Sequence, residues 1–288
     1  MKDSGIREVY FIRRKRNPPP DTFYRVALAV LAVACLSTFP VHATWQDTLA
    51  PDLQGPFPAV RPFEAVFRIG WTDIEAARAN MDVTYDSGNV CLKASGGTSG
   101  LARLLWQLDA TLHATTHPQN FRTIYSVQDE IYANRSINTQ IVARPDGIWR
   151  LRENFPAGEN AATWKKIKIS PLRDLFSGML FIRSQNLAPG EKVSTIIFPG
   201  DSPFFVEIKS LGPDTLTISG APRAAIKLDL RIQRINLKKG SRLEPHGKFQ
   251  NGTVWLSADA DRVPLRAEVN IFIGYVFAEL ESISFKQR

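Results

Sequence analysis

The 288-residue chain carries a formal net charge of +8, but residues 1–43 hold seven Lys or Arg against three Asp or Glu. The other 245 residues are therefore only weakly basic, and they show no basic stripe interleaved with aromatic residues, which argues against nucleic-acid binding. A chain of this length can bury a real core, as one large β domain or two small domains.

The N-terminal 43 residues have the layout of a secretory signal. A basic cluster at Arg13–Arg16 precedes an apolar run from Val26 to Leu36, and Val41-His42-Ala43 supplies the small-x-small site before Thr44. The run is shorter than the roughly 20 apolar residues that span a bilayer. We therefore predict a signal peptide over residues 1–43, cleaved between Ala43 and Thr44, and an exported protein. An uncleaved membrane anchor is the alternative.

The two cysteines suggest a second form of export. Cys35 lies inside the predicted signal, so Cys91 has no intrachain partner after cleavage. Ala32-Val33-Ala34-Cys35 also resembles a lipobox, although the usual Leu stands one place early, at Leu31. If Cys35 is lipidated, the protein is a lipoprotein and contacts the membrane through its lipid.

Strand patterns dominate the rest of the chain. Residues 44–62 are rich in Pro and Gly and predict an extended lead-in. From Phe63 onward, apolar and polar residues alternate with period two, as in half-buried antiparallel strands. About a dozen strands are expected by this criterion. Clear examples are Ala77–Tyr85, Ile148–Leu151, Phe204–Ile208, Ile226–Ile232 and Val263–Ile271.

Two segments follow a helical period instead. Ser170 is the predicted N-cap and Pro171 the first residue of one helix, whose apolar face comprises Leu172, Leu175, Phe176, Met179 and Leu180. The second helix is predicted within Thr98–Leu108, with Leu101, Leu104, Leu105 and Leu108 on one stripe. Both stripes are expected to pack on the sheet.

Together these patterns predict a mainly β fold. We expect a large curved antiparallel sheet or open barrel with two short covering helices, forming a single β-rich domain over residues 63–288. In an alternative organisation, residues 156–169 form a hinge between two halves.

No motif in the chain predicts catalysis, a cofactor or a metal site. His113 and His117 are two ligands where zinc needs three or four, and His246 is the only other histidine outside the signal. Gly96–Gly100 lacks the Lys of a phosphate-binding loop and predicts a strand-to-helix turn. Asp259-Ala260-Asp261 predicts a hairpin turn, since Arg262 and Val263 follow directly where calcium ligands would be needed.

Three segments in series resemble a known family. They are Phe67–Trp71 with Lys93–Leu101, Pro171–Ser177 continuing to Glu191, and Val254–Leu265 followed by Gly274 and Glu279-Leu280. Their order and spacing resemble the exported bacterial proteins called the domain of unknown function 3108 family. The resemblance implies an exported β-rich protein that is periplasmic or envelope-associated, and it brings no catalytic residues.

Three functions remain open on this basis. The first is a non-enzymatic binding protein for an apolar or lipid-like ligand held in the curved sheet, with Trp71, Trp106 or Trp149 near the ligand. The second is an envelope interaction or scaffold module whose sheet is filled by its own side chains. The third is a hydrolase acting on envelope glycans, which the missing acid/base constellation disfavours.

Overall fold

The computed structural model of the chain describes residues 44–53, 55–57, 60–72, 74–156, 162–245, 251–271 and 274–286. The chain divides into two units, the second of which comprises Thr48–Arg288 and contains the sheet. In the first unit, the backbone N–H of Asp47 donates to the carbonyl of Thr44 at 3.0 Å, where a short 3-10 turn begins.

Fifteen strands were found in the described residues, and they belong to a single sheet. In chain order they are β1 (Phe63–Trp71), β2 (Ile74–Asp86), β3 (Asn89–Thr98), β4 (Leu108–Thr116), β5 (Thr123–Tyr132), β6 (Ser136–Arg144), β7 (Gly147–Phe155), β8 (Lys165–Ile167), β9 (Lys192–Ile197), β10 (Phe204–Ile218), β11 (Ala221–Asn236), β12 (Arg242–Pro245), β13 (Asn251–Ser257), β14 (Pro264–Asn270) and β15 (Tyr275–Phe285).

The sheet consists of two antiparallel meanders joined side by side. Its order is β8-β7-β6-β5-β4-β3-β2-β1-β15-β14-β13-β11-β10-β9, and β12 pairs with β11. The meanders meet where β1 pairs with β15, from Phe63 opposite Phe285 to Trp71 opposite Val276. Among the described strands, β8 and β9 are the two edges and are not paired with each other, so the sheet is not closed. The predicted mainly β, antiparallel fold class is confirmed.

The core lies on one face of the sheet, as the period-two pattern predicts. On β1, for example, Phe63, Ala65 and Phe67 are buried while Glu64 is exposed. Because side chains alternate across a strand, each strand contributes every second residue to the core. Phe181 is also fully buried in this core and comes from the longer helix, which packs on the core face.

The longer helix, α2 (Leu175–Ser184), begins later than the sequence predicts. Ser170 is not its N-cap; Asp174 is, and its side chain accepts hydrogen bonds from the backbone N–H groups of Phe176 and Ser177. The reason is that Arg173 pairs with Ile197 in a parallel β-bridge, which keeps residues before Asp174 extended. Leu172 is still buried, but outside the helix.

The shorter helix, α1 (Gly100–Leu105), lies between β3 and β4, and its leucines do not pack on the sheet. Leu101, Leu104 and Leu105 are 79%, 83% and 90% exposed. The expectation that this stripe belongs to the core is therefore wrong. In the described part of the chain, no helix is long and apolar enough to span a bilayer.

The glycine-rich segment before α1 also differs from expectation. Gly96 and Gly97 are not part of a turn but continue β3, opposite Ala110 and Asp109 of β4. A Cβ on Gly96 would lie 2.7 Å from the Arg78 carbonyl oxygen of β2, so this close strand contact requires glycine. The turn proper begins at Ser99.

A candidate ligand cleft beside the β10–β11 hairpin

A cleft of about 540 Å³ opens between the β10–β11 hairpin tip and strands β14 and β15. Its floor consists of apolar side chains that continue the hydrophobic core. They are Ile218, Val263, Leu265, Leu280, Ile283 and Phe285. This volume lies within the roughly 300–1,000 Å³ of ligand pockets in general.

The rim of the cleft is polar. Ser257 donates a hydrogen bond to an Asp259 carboxylate oxygen at 2.7 Å, and Asp259 also accepts from the backbone N–H groups of Asp261 and Arg262. This confirms the predicted hairpin turn at residues 259–261. Ser219, at the opposite hairpin, donates to the Glu281 carbonyl oxygen at 3.2 Å.

Two charged side chains on the rim can accept or donate further hydrogen bonds. Arg223 is exposed at the start of β11 and makes no ion pair with any described residue. Glu281 lies at an irregularity in β15, because Val66 pairs with Ser282 and Phe67 with Leu280. One Glu281 oxygen is 3.5 Å from an Arg78 nitrogen, whereas the other is buried and accepts no hydrogen bond from the described residues. The rim can therefore hold a polar head group above an apolar floor.

A second concavity, of about 560 Å³, lies on the sheet face turned away from the core. Its lining combines polar side chains with apolar residues, namely Asn80, Lys93, Ser95, Thr111 and His113 with Val66, Met81 and Ile283. Lys286 binds the Asp82 carboxylate at its border at 2.7 Å, and this hydrogen bond raises the pKa of Lys286 above its ordinary value. This groove has fewer apolar residues in its lining than the cleft, so it suits the predicted class of ligand less well.

The tryptophans expected near a ligand lie elsewhere. Trp71 and Trp106 are exposed at one end of the strands, and Trp149 lies on β7, so none of the three lines the cleft. The cleft itself was not predicted from the sequence. Two segments that carry the family resemblance also contribute to its lining. Val254–Leu265 supplies Ser257, Asp259 and Val263, and Glu279-Leu280 supplies Leu280.

The other predicted site residues fall partly outside the described residues. Cys35 and Ala43, the lipidation and cleavage positions, lie there, as does His246; Thr44 is the first described residue. His113 is exposed on β4 and His117 follows the same strand. In the described part of the chain, no group of three or more His, Cys, Asp or Glu residues is placed to hold a metal ion. The domain boundaries, the hinge at 156–169 and the absence of a metal or cofactor stay predictions.

Comparisons with known proteins identify a family and a fold. The family model described as "Protein of unknown function (DUF3108)" matches residues 66–281, which confirms the resemblance seen in the sequence. No curated protein matches the chain.

Among solved structures, a β-barrel-like protein of the domain of unknown function DUF1849 from Brucella abortus is 7% identical, with a TM-score of 0.53 over 80% of this chain and 99% of that one. A protein from Bacteroides fragilis described as having a YmcC-like fold is 10% identical, with a TM-score of 0.36 over 80% and 99%. The hypothetical lipoprotein YmcC from Escherichia coli is 9% identical, with a TM-score of 0.29 over 93% and 98%. At these identities, the first structure supports the fold alone.

Proposed function

We propose that this protein, which belongs to the DUF3108 family, is an exported envelope protein that binds an apolar, lipid-like ligand in the cleft beside the β10–β11 hairpin. The observation that carries the proposal is the apolar floor beneath a polar rim. Export is supported by the basic, apolar and small-residue layout of residues 1–43. The proposed role is non-enzymatic, since the described lining contains neither His nor Cys to form a nucleophile–base pair.

An acyl chain fits the floor for a simple physical reason. Covering apolar surface gains about 25 cal/mol for each Å² removed from water. Ile283 and Phe285 are the floor side chains that keep accessible surface, because the other four are at most 6% exposed. At the rim, the exposed Arg223 guanidinium can bind a carboxylate or phosphate head group. The ligand would thus lie with its chain on the floor and its charge at the mouth.

The polar groove on the other face is the less suitable site. Its walls present hydroxyl, amide and charged groups, and burying such groups against an acyl chain costs free energy unless each finds a hydrogen bond. The choice between the two concavities therefore follows from their chemistry, because their volumes are nearly equal.

A blocking substitution tests the proposal. Ala224 lines the cleft and is exposed, so Ala224→Trp would occupy the cleft without altering the buried floor. Ala221→Trp is the matched control, because Ala221 is exposed on the same strand but outside the lining. The probe is dansyl-labelled undecanoic acid, titrated into the exported protein, with lipid co-purified from cells identified by mass spectrometry.

We expect saturable binding at a single site in the wild type and in Ala221→Trp, and a loss of about tenfold or more in affinity in Ala224→Trp. Absence of probe binding and of co-purified lipid in the wild type would overturn the proposal and favour the scaffold alternative. Equal binding by both variants would place the ligand outside this cleft.

A further inference from the structure

The short helix α1 projects an apolar surface into solvent. We call Leu101, Leu104, Leu105 and Trp106 the leucine knob; their exposed fractions are 79%, 83%, 90% and 58%. Exposure this high means that the side chains stand on a convex protrusion and do not line a groove. Single exposed leucines are common, but three adjacent ones with a tryptophan form an apolar patch that soluble proteins rarely present.

Further apolar residues surround the leucine knob at the same end of the strands. The Ser99 backbone N–H, just before α1, donates to the Ala76 carbonyl at 2.9 Å, which places the β1–β2 hairpin beside the knob. Trp71 and Ile74 at that hairpin are 44% and 61% exposed. On the other side, Ile131 pairs with Asp109 at the start of β4 and is 51% exposed.

The single charge within α1 is neutralised. Arg103 turns back and binds both carboxylate oxygens of Asp109 at 2.8 Å, and it also donates to the Thr98 carbonyl at 3.1 Å. The backbone N–H groups of Arg103 and Trp106 donate hydrogen bonds to the carbonyl oxygens of Ser99 and Ala102, respectively. The tip of the knob therefore presents leucines without an unpaired charge, as insertion into a nonpolar medium requires.

An exposed arginine lies at the same end of the strands. Arg135 is exposed in the β5–β6 turn, makes no ion pair with the described residues, and has its guanidinium 4.8 Å from the Tyr132 ring centre. Tyr132 pairs with Leu108, two residues after the knob. Tyrosine, tryptophan and arginine beside an apolar tip are the residues that anchor proteins at the head groups of anionic lipids.

The convex shape of the knob favours a bilayer over a protein partner. A bilayer accepts a convex apolar tip without needing a matching pocket, and interfacial helices insert about 5–10 Å. We infer that the leucine knob docks this protein on an anionic lipid bilayer, with Leu101, Leu104 and Leu105 inserted among the acyl chains. The inference goes beyond the proposed function and holds whether or not the cleft takes a ligand.

The test uses the exported protein and vesicles of phosphatidylcholine, with or without phosphatidylglycerol, prepared with brominated acyl chains. Bromine quenches tryptophan fluorescence only on insertion, so the readout works even for a chain already tethered by a lipid on Cys35. We expect quenching in the wild type that is reduced in Trp106→Phe and removed further when Trp71→Phe is added. Leu104→Asp with Leu105→Asp should weaken insertion by roughly tenfold or more.

Two further variants make the result specific. Leu211→Asp, at a 49% exposed leucine on β10, should insert as the wild type does. Arg135→Glu should weaken insertion about fivefold on phosphatidylglycerol vesicles and leave it unchanged on phosphatidylcholine alone. Circular dichroism melts confirm that each variant is folded.

Quenching that is absent in the wild type, or unchanged in the double leucine variant, would overturn the inference. So would a dimer on size-exclusion chromatography that the double variant abolishes, since the knob would then bind a second copy. Normal insertion by Ala224→Trp separates this test from that of the cleft.

Discussion

The carboxylate of Asp52 binds the guanidinium of Arg173, which is completely buried next to α2. Arg173 also donates to the Thr195 hydroxyl at 3.1 Å and the Asn120 carbonyl at 3.2 Å, and its guanidinium lies 3.7 Å from the Phe181 ring centre. Burial lowers the pKa of Arg173, and Asp52 opposes that shift. This pair thus fastens the segment before β1 to the core.

Removing the Asp52 carboxylate should destabilise the fold strongly. Asp52→Ala leaves the Arg173 charge buried without its counter-ion, and we expect the free energy of unfolding to fall by about 3 kcal/mol. Urea denaturation measures the change. Asp229→Ala, at an exposed position of β11, is the control and should alter stability by less than about 0.5 kcal/mol. A loss equally small in Asp52→Ala would contradict the structural role of the pair.

The position of the helix cap makes a second prediction. The Asp174 carboxylate accepts hydrogen bonds from two backbone N–H groups and from the hydroxyls of Thr123 and Ser177, the latter two at 2.6 and 2.7 Å. The residue is 2% exposed. Asp174→Ala should lower the free energy of unfolding by about 2 kcal/mol or more. Ser170→Ala should have no measurable effect on thermal unfolding. A larger loss of stability in Ser170→Ala than in Asp174→Ala would instead identify Ser170 as the N-cap.

The third prediction concerns pH. The Trp255 indole N–H donates to Asp214 at 2.9 Å, and this hydrogen bond lowers the pKa of Asp214 below its ordinary value. A carboxylate whose folded-state pKa lies below the unfolded value of about 3.9 stabilises the fold above that pH. This contribution is lost as the pH falls through the folded-state pKa.

Asp214→Asn should therefore be less stable than the wild type at pH 6, and the difference should shrink below about pH 3. Urea denaturation at the two pH values measures it, with Asp229→Asn as the exposed control. A difference that stays constant with pH would show that the charge of Asp214 does not contribute.

The fourth prediction concerns processing. We expect N-terminal sequencing of the exported protein to begin at Thr44, because Val41 and Ala43 occupy the positions that signal peptidase reads. Mass spectrometry of the same sample tests the alternative. A diacylglyceryl group on Cys35 would establish a lipoprotein, and a chain that retains residues 1–43 would establish an uncleaved anchor.

The sequence by itself determined the strands and their buried faces. The alternation in Ala77–Tyr85 falls within β2, and that in Ile226–Ile232 falls within β11. This succeeds because the period of two is a property of the strand backbone, and the choice of face follows from neighbouring residues alone. The family could also be identified from the sequence, because the resemblance rests on three short segments in a fixed order and needs no knowledge of distant contacts.

Tertiary structure decided the features that depend on distant partners. The start of α2 moved from Ser170 to Asp174 because Arg173 pairs with Ile197, a contact that helix-capping rules do not see. The leucines of α1 share one face, as their spacing predicts, but the spacing does not determine which part of the protein that face contacts. In the structure, that face is exposed to solvent.

The cleft also depends on tertiary structure. It forms because Ile218 and Arg223 of the β10–β11 hairpin meet Leu280 and Glu281 of β15, strands that lie far apart in the chain. A local pattern records which side of each strand is apolar, but the space between two apolar faces depends on how the strands are arranged in three dimensions. For this protein, the sequence determined the sheet and its buried faces, and only the packing of distant strands decided where that sheet leaves room for a ligand.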